Sequence, residues 1–259
     1  MTSAQPRLSA VVITRDNEAT IRRCVGSLAF ADEIIVLDSG STDATLEICS
    51  ALGAHVHESA DWPGYGPQKN RALDLATRDW VISIDSDEWL TPASAGEIAR
   101  AIASNDARAG YAIPRRSSFC GRVMRHSGWW PDYVVRLFRR DAGRFTDDRT
   151  HERVVVQGAL GRLTEPIMHE AITDLDQMLL KMNAYSSASA QARAVQGRRA
   201  TLATAVLHGA WTFFRTYVLR LGFLDGREGF MLAVANAEGS YYRYVKLMLL
   251  ARKAVTRDE

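Results

Sequence analysis

The chain has 259 residues, 47% hydrophobic and 24% charged, with a formal net charge of +2. That length supports one large domain, or a domain with a helical appendage, able to bury its core without a covalent staple. The near-neutral balance excludes nucleic acid as the principal partner, and three cysteines (Cys24, Cys49, Cys120) without CxxC spacing exclude a disulfide framework or structural zinc site, as expected of a reduced, cytoplasmic protein.

Met1 to Leu8 is short and polar and lacks the pattern of a signal peptide. Leu8 to Thr14 (LSAVVIT) is apolar and β-branched, the mark of a buried parallel strand. Asp16 and Asn17 supply turn and cap chemistry for a helix from Glu18 to about Leu28, with Ile21, Val25 and Leu28 on one face. Glu33 to Leu37 is a second strand, ending in the turn Asp38-Ser39-Gly40-Ser41-Thr42-Asp43. A helix from about Ala44 to Leu52 stops at Gly53. Ala54 to His57 is a third strand, and Trp80 to Ile84 a fourth, ending at Asp85-Ser86-Asp87-Glu88. The alternation predicts an α/β fold with a mostly parallel central sheet flanked by helices. In such sheets ligands bind beyond the carboxyl ends of the strands. The loops Thr14-Arg15-Asp16-Asn17, Asp38-Ser39-Gly40 and Asp85-Ser86-Asp87 should therefore meet in one crevice.

Asp85 and Asp87 flank one residue in a turn leaving a strand. Two close carboxylates repel, so one is protonated or both find a cation. A divalent ion shared with diphosphate oxygens satisfies them and offsets charge on a nucleoside diphosphate leaving group. The competing reading is a solvated turn; the place of the pair at the end of an apolar strand favours the metal. Asp38 either bonds nearby backbone amides or accepts from a base N–H. Trp62 to Asn70 is a loop dense in Gly, Pro and aromatics. It serves as a structural turn or faces a ligand with Tyr65, Lys69 and Asn70, and Lys69 and Arg71 are candidate counter-charges for diphosphate.

The opening VVITRDNEATI, the loop VLDSGSTDAT and the acidic turn SIDSDE, in this order and spacing, resemble family 2 glycosyltransferases of the GT-A fold. DWPGYGPQKNRAL, GWWPDYVVRLFRR and THERV resemble the bacterial lipopolysaccharide core β-1,4-glucosyltransferase-like proteins, over residues 8 to 170 and more loosely into YVLRLGFLDGREGF. The resemblance implies inverting transfer of a hexose, commonly glucose, from a UDP-sugar to a sugar acceptor. Thr14, Arg15 and Asn17 would border the nucleotide, Asp38 would meet the base, and Asp85 and Asp87 would handle ribose, diphosphate and Mg²⁺ or Mn²⁺. The chain departs from the common family pattern in lacking a Glu-Asp pair followed by Gln-x-x-Arg-Trp.

Inversion needs a base for the acceptor hydroxyl, and two carboxylates are candidates: Asp132, after Trp129-Trp130-Pro131, and Glu152, after His151. Glu152 fits by resemblance, with His151 contacting metal or diphosphate. Trp129, Trp130 and Tyr133 could stack on a pyranose or serve as core. Arg136, Arg139 and Arg140 flank Leu137 and Phe138; in a strand Arg136 and Phe138 share a face, and one arginine could close on the diphosphate.

The catalytic region is read as residues 1–172 and a helical extension as 173–259. Met178, Leu179 and Met182 recur at helical spacing. Ala203 to Leu224 is rich in aromatics but broken by Arg215 and Arg220. It suits a helix lying in a headgroup layer rather than spanning a bilayer, as does Tyr241 to Val255; packing on the catalytic domain is the alternative. Gly226 and Gly229 are read as a turn between helices. The expected setting is the cytoplasmic face of the inner membrane, with a cell-envelope glycolipid as acceptor. Two other functions compete: a nucleotidyltransferase making the activated sugar, disfavoured because Thr14 to Ala19 has no glycine, and a non-catalytic nucleotide-sugar or lipid-binding protein.

Overall fold

The computed structural model describes residues 6–104, 106–147 and 152–255. The chain divides into two compact units, one of residues 1–116 and 132–169, the other of residues 117–131 and 170–259.

The first unit begins with β1 (Leu8–Thr14), α1 (Glu18–Gly26), β2 (Glu33–Asp38), α2 (Thr45–Ala51), β3 (His55–Glu58), α3 (Tyr65–Leu75) and β4 (Trp80–Ser83). It continues through β5 (Glu88–Leu90), α4 (Pro92–Ala103) and β6 (Gly110–Phe119). After the short β7 (Arg122–Val123), which belongs to the second unit, come β8 (Asp132–Arg139), β9 (Gly143–Phe145), β10 (Val154–Val156), β11 (Leu160–Arg162) and β12 (Ile167–Ile172). The main sheet has the order β3-β2-β1-β4-β8-β6-β12-β5. From β3 to β4 it is parallel, as the alternation of strands and helices requires. From β4 onward β8, β6, β12 and β5 bring antiparallel pairing, with β11 parallel to β6. The sequence reading identified the parallel half; the antiparallel half includes longer strands, β6 and β8, whose burial is interrupted by half-buried polar residues.

Side chains alternate across β1, and each set enters its own core. Leu8, Ala10 and Val12 pack with Ile21, Val25 and Leu28 of the α1 region and with Ile98 of α4. Val11 and Ile13 pack with Ala72 and Leu73 of α3 and with Phe138 and Phe145. All seven residues of β1 are buried, which accounts for its unbroken apolar run. Helix α4 starts sharply: the Thr91 side chain accepts from Ser94 N, and Pro92 occupies the first turn. Gly53, at φ 78°, follows α2 as a left-handed stop.

Helix α3 corrects the expectation of a loop through Asn70. Gly64 takes φ 117° immediately before the helix, and Pro67 lies in its first turn, where no backbone donor is needed. The Gly- and Pro-rich segment is thus a helix entry. Lys69 falls on the same stripe as Ala72 and Leu73 and is buried with them.

The second unit holds α5 (Leu175–Val195), α6 (Leu202–Phe214), a π-helical turn (Arg215–Leu219), a 3₁₀ turn (Gly222–Asp225) and α7 (Gly226–Val255). Phe119, Met124, Met178, Leu232 and Ala235 form its core. Thr201 and Thr204 close a reciprocal cap on α6. The turn expected at Gly226 and Gly229 is displaced: α7 begins at Gly226 and Gly229 lies inside it. A Cβ on Gly229 would come within 1.9 Å of the Gly222 carbonyl oxygen, so glycine is required by the close approach of the two backbones. Among the described residues no helix is long and apolar enough to cross a membrane.

Candidate active site

Thr14 is in register with Asp38 and Val11 with Ser83, so the loops after β1, β2 and β4 leave the same edge of the sheet. The first two are laced together. Asp16 N donates to Ser41 Oγ (2.9 Å), Thr42 N to Asp16 Oδ1 (2.8 Å), and Asn17 N to Thr45 Oγ1 (2.8 Å). Asp16 sits at φ 50°, a left-handed conformation that Asp tolerates. The buried Thr14 Oγ1 has no hydrogen-bond partner among the described residues; a buried hydroxyl normally finds one.

Beyond β4, charged groups interlock. Asp85 is pinned from two sides: Lys69 Nζ lies 2.7 Å from Oδ1, and Arg136 donates to Oδ2. The Lys69 ammonium also holds Glu152 Oε1 at 2.7 Å. Arg136 reaches the fully buried Glu88 at 2.9 Å, and Arg115 reaches Glu88 at 3.5 Å and Asp132 at 2.7 Å. The backbone closes the turn, with Asp85 N donating to Glu88 Oε2 (3.0 Å) and Glu88 N to Asp85 O (2.9 Å). Burial pushes the Asp85 carboxyl up, but Arg136 and then Lys69 outweigh it and hold the group well below the usual carboxylate range. Burial opposes the charge on Arg136 too, and Asp85 and Glu88 more than compensate, raising it above the ordinary guanidinium value. Cys24 is pushed well up by burial and by Glu88 and Asp85, so its thiol stays protonated beside the Asp85 carbonyl, 3.5 Å away.

Arg136 owes its position to a local irregularity. Tyr111 pairs with Leu137 and Ala112 with Val135, which leaves Arg136 as the extra residue of a bulge. Bulges re-aim side chains, and here the guanidinium turns onto the two carboxylates. Simple alternation along β8 missed this.

Asp87 differs from Asp85. Its side chain is 37% exposed, and the imidazole of His169, opposite Glu88 in the β12–β5 pairing, lies 3.6 Å from Oδ2. Neither Lys69 nor Arg136 bonds it. Asp85, Asp87, Glu88, Asp132 and Glu152 set five carboxylates against three permanent cations, Lys69, Arg115 and Arg136. Among the described residues of this cluster the acids outnumber the permanent cations by two. Among the described residues no group of three His, Cys, Asp or Glu side chains encloses a metal by itself. Asp87 and His169 bring a carboxylate and an imidazole within 3.6 Å of each other, two donors of the kind that bind divalent ions.

A family model for glycosyl transferase family 2 matches residues 9–163. The chain belongs to glycosyl transferase family 2. It is 30% identical to a glycosyltransferase of Rickettsia felis, over 98% of this chain and 94% of that one. It is 29% identical to the lipopolysaccharide core biosynthesis glycosyltransferase LpsC of Rhizobium meliloti, over 93% and 91%. Among solved structures, glucosyl-3-phosphoglycerate synthase from Mycobacterium tuberculosis aligns with a TM-score of 0.45 at 19% identity, covering 67% of this chain and 74% of that one.

In this family 2 glycosyltransferase the other residues singled out by sequence are distributed as follows. Asp38 is buried, and its carboxylate accepts from Gly40 N (2.7 Å), Ser41 N (2.8 Å) and Ser41 Oγ; it rigidifies its own turn. Arg15 is exposed, 3.6 Å from Asp16, and Asn17 Nδ2 donates to Arg15 O at 2.6 Å. Arg71 bonds Asp61 at 2.7 and 3.0 Å. Arg139 stacks 4.8 Å from the Trp80 ring and Arg140 donates to Arg78 O; both are structural. Tyr133 lies beneath the Arg162 guanidinium. Trp129 belongs to the second unit, edge-on to Phe119 at 6.1 Å, with half-buried Trp130 beside it. His151 lies outside the described residues.

The sequence reading passed over two members of the site. Glu88 looked like the solvated end of a turn, yet it is a fully buried acid between two arginines. His169 stands in β12 of the antiparallel half, between Met168 and Glu170, and carried no motif.

Proposed function

We propose that the protein is an inverting glycosyltransferase that moves a hexose, glucose in the first instance, from a UDP-sugar to a sugar hydroxyl on a cell-envelope glycolipid such as the lipopolysaccharide inner core. The observation that carries this is the contrast between the two acids of the β4 turn. Asp85 is immobilised between Lys69 and Arg136, while Asp87 stands partly open beside His169 in a cluster whose described acids outnumber its permanent cations.

Asp87 and His169 would hold Mg²⁺ or Mn²⁺, whose role when bound is to offset charge on the departing diphosphate. Asp85, with both oxygens fixed, would orient the ribose end of the donor. The buried Thr14 hydroxyl, unpartnered among the described residues, the exposed Arg15 and the half-buried Asn17 would border the nucleotide, with Asp38 supporting that wall through its turn. Lys69 would have two duties: to keep Asp85 ionised and to fix Glu152, whose second oxygen then takes the acceptor proton as the hydroxyl attacks the anomeric carbon. Asp132, held by Arg115, is the second candidate for that proton transfer. Trp129 and Trp130 offer the aromatic surface that sugar rings favour. The glycolipid acceptor is supported by the likeness to a lipopolysaccharide core glycosyltransferase.

The test is to incubate the purified protein with a panel of nucleotide sugars, Mn²⁺ and delipidated or intact inner-core lipopolysaccharide, and to read product by mass spectrometry and anomeric configuration by NMR. The expected product gains one hexose with inverted configuration. Transfer from no UDP-sugar, or retention of configuration, would overturn the proposal.

A further inference from the structure

Helix α6 packs on α7 through small residues. Ala205 and Gly209 are buried, and a Cβ on Gly209 would meet Tyr241 Cβ at 3.3 Å. The opposite face of α6 is therefore turned away from this seam. It carries Leu207, Trp211 and Phe214, spaced by four and three residues, and Val218, Phe223 and Leu224 in the turns that follow are exposed as well. These six side chains are between 41% and 69% exposed. A soluble surface seldom leaves so many large apolar groups exposed on one segment.

Within residues 202–231 the exposed charges are of one sign. Arg215 and Arg220 are exposed there. The only acids between residues 202 and 231 are Asp225 and Glu228, at 2% and 9% exposure. Asp225 is drawn inward: its carboxylate accepts from Arg125 N (3.0 Å), His126 N (2.9 Å) and Ser127 Oγ (3.1 Å), and contacts His126 Nδ1 (3.1 Å). Glu228 is engaged by Arg227 at 2.6 Å and Arg122 at 3.7 Å. The surface thus presents apolar side chains and arginines while its acids are sequestered beneath. A second copy docking symmetrically would bring arginines against arginines with no exposed acid to answer them. An anionic lipid surface answers both features: headgroups meet Arg215 and Arg220, and the aromatic stripe enters the acyl boundary.

We propose that the α6 face and the turns after it form a monotopic docking surface for an anionic bilayer, with α6 lying in the plane of the headgroups. This deepens the glycolipid-acceptor reading by giving the protein a way to meet an acceptor in its bilayer, yet it stands on the surface alone. The experiment sediments the full-length protein with sucrose-loaded vesicles of phosphatidylcholine, with or without phosphatidylglycerol, at low and high salt. Wild type should sediment with the anionic vesicles and be released by salt. R215Q/R220Q should partition roughly thirtyfold less, and W211S/F214S about a hundredfold less, both with unchanged circular dichroism. UDP-sugar hydrolysis by W211S/F214S without vesicles should equal wild type, so that loss of vesicle binding is read separately from any failure of the transferase chemistry. Wild type left in the supernatant, equal sedimentation with neutral and anionic vesicles, or a dimer in analytical ultracentrifugation that W211S/F214S abolishes would each overturn the proposal.

Discussion

Arg136→Met is the sharpest test of how the site is held. Arg136 is 6% exposed and bridges Asp85 and Glu88, and Glu88 is wholly buried. Methionine keeps much of the apolar stem, so little of the effect comes from lost packing. It leaves Glu88 with Arg115 at 3.5 Å as its remaining cation, and Asp85 with Lys69. Removing one partner of a buried ion pair costs roughly 3–5 kcal/mol, because the remaining charge is stranded. For a chain of this size that is a fall in melting temperature on the order of 10 °C. Denaturant unfolding at neutral pH measures it directly. The pH dependence has a definite sign. Asp85 is held below its unfolded value, so its contribution is complete above the ordinary carboxylate range and is lost only as pH falls through the much lower folded value. Asp85's share of the gap between wild type and variant should therefore persist at pH 5 and narrow only in strong acid. A loss under about 1 kcal/mol would refute the reasoning, since it would mean that Glu88 needs no counter-charge.

Lys69→Met should lower turnover by at least about a hundredfold, because one ammonium orders both Asp85 and Glu152; steady-state kinetics with saturating donor would show it in kcat. Glu152→Gln should retain donor binding while turnover falls about 10²- to 10⁴-fold; if Asp132→Asn produces that signature and Glu152→Gln does not, the base is Asp132. Gly229→Ala should destabilise the second unit by roughly 1–3 kcal/mol, because its Cβ would strike the Gly222 carbonyl; a melt unchanged from wild type would contradict that contact.

In the parallel half of the sheet β1, β2 and β4 were legible because they are buried on both faces. Leu8 to Thr14 and Glu33 to Leu37 read as apolar runs followed by acid-containing loops, and those loops do leave the same end of the sheet. Two kinds of information were hidden. Gly64 and Pro67 signal a break by composition, but at a helix entry they permit the structure they seem to interrupt. The spacing of Lys69 with Ala72 and Leu73 was the available clue that the lysine is buried. Second, the charge partners of Asp85 come from α3 and from a bulge in β8, and no local pattern links Lys69, Asp85 and Arg136. The sequence argument that two neighbouring acids need a cation was physically sound, but for Asp85 the cations are side chains.

That division of labour between Asp85 and Asp87 is the centre of the account, and calorimetric titration of UDP tests it most directly. Wild type should bind UDP in the presence of Mn²⁺ and lose most of that affinity when the metal is chelated, while Asp87→Ala should bind weakly with or without metal. Equal affinity in Asp87→Ala and wild type, or binding by wild type that ignores the metal, would contradict it.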